Sequence, residues 1–261
     1  MAGLSQDEPA RWRWATASQI GTSHSRLGAR KQDAACCFLA GPSSSVLCAI
    51  VCDGAGSAAF GGQGASLICR ALSIGLKTHF RAHAELPTDD DVWGWIDVVR
   101  DKLALAAQHK ASRRQAFAST LVLLAAAEKS VLIAHVGDGA VVARDNDGTW
   151  CALSWPENGE YASTTYFVTD DPVPRMRILR LAATFDAYAV FSDGVENLAL
   201  DQRAIIPHEP FFRSMMAPLD AAAHSGKSAS LSEALSIFLT SERVCARTDD
   251  DKSLILASAR R

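Results

Sequence analysis

The sequence predicts an α+β domain built on antiparallel strands. Short apolar runs rich in Val, Ile and Leu occupy 45–53, 119–127, 130–144, 187–195 and 252–258. Apolar residues at three- and four-residue spacing mark helices between them. The order is strands, a helical pair, strands, helices and a last strand, not the regular strand–helix alternation of a parallel sheet.

Each element has its own signal. Residues 1–11 read as a flexible N-terminal tail, and 12–261 as a single domain. Segments 12–20 and 34–40 are mixed apolar strands, and 45–53 is a buried strand ending at Asp53. Gly54, Gly56, Gly61, Gly62 and Gly64 follow at once. Such glycine density marks a loop with unusual dihedrals or close backbone approach. Ala65, Ile68, Leu72, Leu76 and Phe80 then make one face of a helix. Thr88 and Asp91 form a capping box for a second, striped by Val92, Trp95, Ile96, Val99 and Leu103. The runs 119–127 and 130–144 are strands, with Glu128–Lys129 a turn and Gly137–Asp138–Gly139 a second turn or bulge. Residues 154–180 form a long irregular excursion, and loops of that length are often functional. Residues 196–245 are mainly helical, with Ser230 and Glu233 as a further capping box, and 252–258 closes the chain as a strand.

Composition narrows the function. A hydrophobic share of 48% and a charged share of 21% are those of a globular domain. The net charge of -3 argues against nucleic acid as a partner, since binders of phosphate backbones carry a basic excess. The cysteine count, 7, is odd, and no Cys-x-x-Cys or Cys/His zinc spacing occurs, so these read as reduced, buried thiols. The N-terminal stretch has acids and no apolar core, unlike a secretory leader. No run reaches the roughly 20 apolar residues a membrane helix needs. The expectation is a cytoplasmic protein with no membrane partner.

The chemistry lies in acids at strand ends. Asp53 ends one apolar strand before Gly-Ala-Gly, Asp193 ends another before Gly194, and Asp250 precedes the last strand. Any one of them alone is an ordinary turn or solvated loop. Strand ends of one sheet can converge on a common edge, and carboxylates gathered there repel unless cations neutralise them. Hard oxygen donors suit Mg²⁺ or Mn²⁺. No Gly-x4-Gly-Lys-Ser/Thr loop is present, which excludes a P-loop. No Cys-x5-Arg loop is present, which disfavours a cysteine nucleophile.

Read in order, Gln32-Asp33-Ala34, Val51-Cys52-Asp53-Gly54-Ala55-Gly56, Ala118-Ser119-Thr120-Leu121, Val136-Gly137-Asp138-Gly139, Phe191-Ser192-Asp193-Gly194 and Asp250-Asp251-Lys252-Ser253 resemble the PP2C family of metal-dependent protein phosphatases. Gly21-Thr22-Ser23-His24 and Gly159-Glu160-Tyr161-Ala162 look closer to its bacterial branch. The resemblance implies an antiparallel β-sandwich flanked by helices on both faces, an α/β/β/α arrangement, with two Mn²⁺ or Mg²⁺ at one end. It implies that Asp53 bridges the metals, that the Gly54 carbonyl binds one, and that Asp193 and Asp250 bind the other. Asp33 is expected to hold a metal-bound water from behind, and Asp138 to be structural or supporting. A bridging hydroxide would attack phosphorus in line. The implied partners are phosphoserine and phosphothreonine proteins, targets of a cognate serine/threonine kinase.

The chain also departs from the pattern. Gly28 stands where many members carry a phosphate-gripping arginine, leaving Arg26, Arg30 and Lys31 as candidates for that role. Ala55 stands where some have a histidine proposed as general acid, leaving His24 as candidate proton donor. Gln115 occupies the position of an aspartate that serves a third metal in some bacterial members. Residues 154–180 correspond to a variable flap, whose Arg175, Arg177 and Arg180 are candidates to face a phosphorylated or acidic partner. These departures keep open a catalytically weak binding module and a different two-metal phosphoester hydrolase.

Overall fold

The computed structural model describes residues 11–157 and 165–260. The expected tail, apart from Arg11, and the Gly159-Glu160-Tyr161-Ala162 segment lie outside the described residues. The chain begins with β1 (Trp12–Gln19), the short helix α1 (Thr22–Arg26), and the strands β2 (Ala34–Ala40) and β3 (Val46–Cys52). The long helices α2 (Gly61–Ala82) and α3 (Asp89–His109) follow. Next come β4 (Leu121–Ala126), β5 (Val131–Val136), β6 (Ala140–Asp145), β7 (Trp150–Ser154), β8 (Arg177–Leu181) and β9 (Phe185–Phe191). The last part holds α4 (Glu196–Ala199), the ribbon β10 (Leu200–Asp201) and β11 (Ile206–Pro207), and α5 (Glu209–Asp220). It ends with β12 (Gly226–Lys227), α6 (Ala229–Leu239), α7 (Glu242–Cys245) and β13 (Lys252–Ala259).

Two sheets face each other. One has the order β12-β1-β13-β9-β6-β7, the other β2-β3-β4-β5-β8. Their ladders are antiparallel except for β1 with β12, a parallel pair the sequence reading did not anticipate. Strand periodicity sorts the side chains into layers. On β3, Cys48, Ile50 and Cys52 meet α2 and α3, while Leu47, Ala49 and Val51 point into the space between the sheets. On β13, Ile255 and Ala257 fill that same space, while Leu254 and Leu256 meet α5 and α6. Strands buried on both faces are continuously apolar, which is why these runs lack alternation. Each fully buried Leu or Ile contributes about 1.5–3 kcal/mol. The helix–sheet–sheet–helix sandwich is the expected one.

Some local readings change. Gly137–Gly139 is not a hairpin turn: β5 belongs to the five-stranded sheet and β6 to the six-stranded one, so the chain crosses the sandwich there. Helix α6 is capped by Ser228, whose Oγ accepts from the Leu231 N–H at 3.3 Å, rather than by Ser230. The excursion after Ser154 ends earlier than expected, because Arg177–Leu181 pairs with β5 as an edge strand. The Thr88–Asp91 capping box is present as read.

Candidate active site

The site sits where strand ends of both sheets meet. Asp53 follows directly on β3, and its backbone is fixed on both sides. Its N–H donates to Thr120 Oγ1 at 3.1 Å, and its carbonyl accepts from the Thr120 N–H at 2.8 Å. Gly54 must be glycine, because a Cβ there would stand 2.2 Å from the Gly61 carbonyl carbon. That contact seats the first turn of α2 against the end of β3. Gln32, in the orientation that satisfies its amide, donates to the carbonyls of Gly54 at 2.8 Å and Ala55 at 2.9 Å. A carbonyl oxygen has two lone pairs, so the Gly54 oxygen keeps one.

Asp193 opens a single helical turn after β9. Gly194 again admits no Cβ, which would lie 1.9 Å from the Asp251 carbonyl oxygen, so the β9 end is pressed against the start of β13. Asp53, Gly54, Asp138, Asp193, Asp250 and His24 line one cavity of about 550 Å³. Thr165 and Phe167, from the expected flap, also reach its wall. Asp33 is buried behind the cavity, its Oδ2 accepting from Ser192 Oγ at 2.7 Å.

The electrostatics of this cluster are unfavourable as it stands. Burial and then the charges of Asp33 and Asp193 hold the Asp53 carboxyl well above the usual range. Burial, with Asp138 and Asp250 beside it, pushes Asp193 up to about 8. Burial raises Asp33, assisted by the charge of Asp251, and raises Asp138, assisted by Asp250. Asp33 Oδ1 and Asp193 Oδ1 are buried with no hydrogen-bond donor among the described residues. Among those residues no three His, Cys, Asp or Glu side chains are already drawn together as a set of metal ligands. A hard cation does not require one, since Mg²⁺ keeps several waters and is held through one or two carboxylates. An all-oxygen cluster with mutual repulsion and donor-less oxygens fits a divalent cation of that kind.

His24 is positioned by a residue the sequence reading passed over. Asp251 is buried, and its Oδ1 accepts from the Gly21 N–H at 2.6 Å and lies 3.0 Å from His24 Nδ1. Its Oδ2 accepts from the Gln32 N–H at 2.5 Å. Burial opposes its ionisation, but the Gln32, Gly21 and His24 hydrogen bonds together hold it below the usual carboxylate range. The signal was available: successive residues entering a strand point to opposite sides, so Asp250 and Asp251 cannot both face the cavity. Ser192, the polar residue between Phe191 and Asp193, was missed in the same way.

Other expected residues are not brought to the cavity. Arg26, Arg30 and Lys31 do not line it; Arg26 is exposed on α1, and Arg30 and Lys31 belong to a neighbouring groove. The flap arginines are engaged within the chain. Arg175 pairs with Glu157 at 2.6 Å, Arg177 with Glu157 at 3.1 Å and Arg180 with Asp89 at 2.6 Å. Gln115 donates to the flap residue Asp171 at 2.6 Å. Arg100, also not anticipated, donates to the carbonyls of Val168 and Asp170 at 2.7 Å each and of Pro172 at 3.0 Å, tying the flap to α3.

Comparison with known proteins agrees with this geometry. The protein phosphatase 2C family profile matches residues 20–238. Serine/threonine-protein phosphatase 3 of Escherichia coli (strain K12) is 35% identical over 250 residues, 94% of this chain and 98% of the relative. The chain belongs to the protein phosphatase 2C family. Solved structures share the fold at lower identity. A bacterial serine phosphatase superposes with a TM-score of 0.64 at 16% identity, covering 95% of this chain and 97% of that one. The catalytic domain of the serine/threonine protein phosphatase PstP, in complex with two manganese ions, gives 0.63 at 15% identity, covering 96% and 99%. The family is metal-dependent, and Asp53, Asp193 and Asp250 line one cavity of this chain.

Proposed function

We propose that this chain is a metal-dependent serine/threonine phosphatase whose centre is the Asp53–Asp193–Asp250 cluster. The observation that carries the reading is the gathering of these carboxylates, with Asp138, in one cavity of a protein phosphatase 2C chain. Asp53, Asp193, Asp250 and the Gly54 carbonyl would hold two Mn²⁺ or Mg²⁺. When bound, such cations supply positive charge to the phosphoryl oxygens and make water more acidic.

The remaining chemistry belongs to the side chains. Asp33, with one oxygen tied to Ser192, has its other oxygen available to accept a hydrogen bond from the attacking water. Attack at phosphorus breaks the bond to the serine or threonine oxygen, and that oxygen needs a proton as it leaves. Asp251 accepts at Nδ1 of His24, so a ring carrying both protons would give the second one from Nε2. Asp138 lines the same cavity, and its charge beside Asp193 adds to the negative charge that a cation would neutralise. Phosphorylated proteins, targets of a cognate kinase in the cytoplasm, are the proposed substrates. Among the described residues no helix is long and apolar enough to cross a membrane.

The test is hydrolysis of a phosphothreonine peptide with Mn²⁺, with Mg²⁺ and with a chelator. Turnover is expected to require the metal. Asp53→Asn is expected to abolish it and to weaken Mn²⁺ binding measured by calorimetry. Full activity in that variant overturns the site; a folded wild-type protein inactive with every metal makes the chain a binding module instead.

A further inference from the structure

Beside the catalytic cavity runs a second depression of about 650 Å³, between the segment entering β2 and the start of α2. Its charge is one-sided. Arg30, Lys31 and Arg70 line it, and no carboxylate does. Arg30 and Arg70 are exposed and have no acidic partner among the described residues. Lys31 is already held, its Nζ donating to the Ser18 carbonyl at 3.3 Å. Such an unopposed cluster is notable in a chain of net charge -3.

The groove and the catalytic cavity are lined by successive residues of one segment. One loop serves both: Asp53 to Ser57 line the cavity, and Ala58 to Gln63 line the groove. Ala58, Ala59, Gly61 and Gly62 in its lining are small, which leaves room for an extended backbone beside them. Its walls are in contact: a Cβ on Gly62 would stand 2.9 Å from the Lys31 carbonyl oxygen. The shape is therefore set by packing.

We infer that this groove receives an acidic stretch of the phosphoprotein substrate, next to the phosphorylated residue, and that Arg30 and Arg70 read its carboxylates. The inference rests on the phosphatase reading and deepens it by assigning a substrate class. Exposed cation–carboxylate pairs each give up to a few-fold in binding, so two acting together give roughly tenfold, decreasing with salt.

The experiment compares phosphothreonine peptides flanked by glutamates with the same peptides flanked by alanines and serines. For the wild type, kcat/KM is expected to be roughly tenfold higher on the acidic peptide at low salt. The preference should shrink to within about twofold in Arg30→Glu/Arg70→Glu. Arg70→Glu should leave hydrolysis of p-nitrophenyl phosphate within about twofold of wild type, since that substrate has no flanks. Equal rates on both peptides, or a preference retained by the double variant, overturn the inference. If no substrate is hydrolysed, the phosphatase reading fails separately. Fluorescence anisotropy of the labelled acidic peptide then still decides the groove: binding lost in the double variant supports it, and unchanged binding overturns it.

Discussion

His24 is a case where one contact decides a role. Its ring is held at Nδ1 by Asp251, and it stands on the wall of the carboxylate cavity. A proton donor matters most when the leaving oxygen is a poor one. His24→Gln is therefore expected to lower kcat on a phosphothreonine peptide by roughly 10²-fold or more, within the range for general acid catalysis. On p-nitrophenyl phosphate, whose phenolate leaves without help, the loss should be under about tenfold. An equal loss on both substrates would reduce His24 to a packing role. His135 carries a different expectation, about stability. Burial, and then the neighbouring Arg177, push its pKa down to about 3. The unfolded chain binds a proton at the ordinary value near 6.5, while the folded chain stays neutral. Stability from this residue is thus complete above about pH 6.5 and is lost as the pH falls toward 3, by up to about 1.4 kcal/mol per pH unit. Urea midpoints between pH 7 and 4 should fall less steeply for His135→Gln than for wild type; identical slopes would contradict the assignment. At this scale the sequence was only partly legible. Asp53 and Asp193 announced themselves by ending apolar strands, and Asp250 by preceding one. Asp251, Ser192 and Arg100 did not, because their roles depend on partners 61 to 230 positions away in the chain.

Among elements, the long helices were the easiest to read, and α3 shows why. Thr88 Oγ1 accepts from the Asp91 N–H at 3.1 Å, and the Thr88 N–H donates to Asp91 Oδ2 at 2.8 Å. Both groups lie within one turn, so local sequence contains the whole device. Thr88→Ala is expected to cost about 1 kcal/mol, measured as a shift in the denaturant midpoint with an unchanged slope. A shift indistinguishable from zero would mean that packing of Val92 and Ile96 alone holds the helix start. Strand partners, by contrast, were not legible. Nothing in Gly137-Asp138-Gly139 distinguishes a hairpin from a crossing between sheets, since both need a glycine-rich turn. The pairing of Arg177–Leu181 with β5 was hidden for the same reason: the ladder is made of backbone groups, and the intervening loop is long. The partners of the flap arginines were not legible either, because charge on a loop states no partner; Glu157 and Asp89 pair with them within the chain.

For the molecule as a whole, the carboxylate edge ties both sheets into one balance of charge. Asp53 extends from the five-stranded sheet, and Asp193 and Asp250 from the six-stranded one. A cation held between them should stabilise the folded state by mass action. Mn²⁺ at about 100 times its Kd should add about 2.7 kcal/mol, or roughly 5–10 °C in thermal midpoint for a domain of this size. Asp53→Asn should show little of that rise, and an equal rise in both proteins would locate the cation elsewhere. The sandwich itself was legible in outline, since short, Val- and Ile-rich apolar runs flanked by turn residues fit strands covered on both faces. The order of strands within each sheet was not.

That order has a temporal meaning. β13 lies between β1 and β9, hydrogen-bonded to both, although it follows both in sequence. During synthesis on the ribosome, the first strand waits without its antiparallel neighbour until residues 252–259 emerge. Asp250 and Asp251 arrive with them. A nascent chain that has not reached residue 250 therefore holds neither a complete six-stranded sheet nor a complete carboxylate edge.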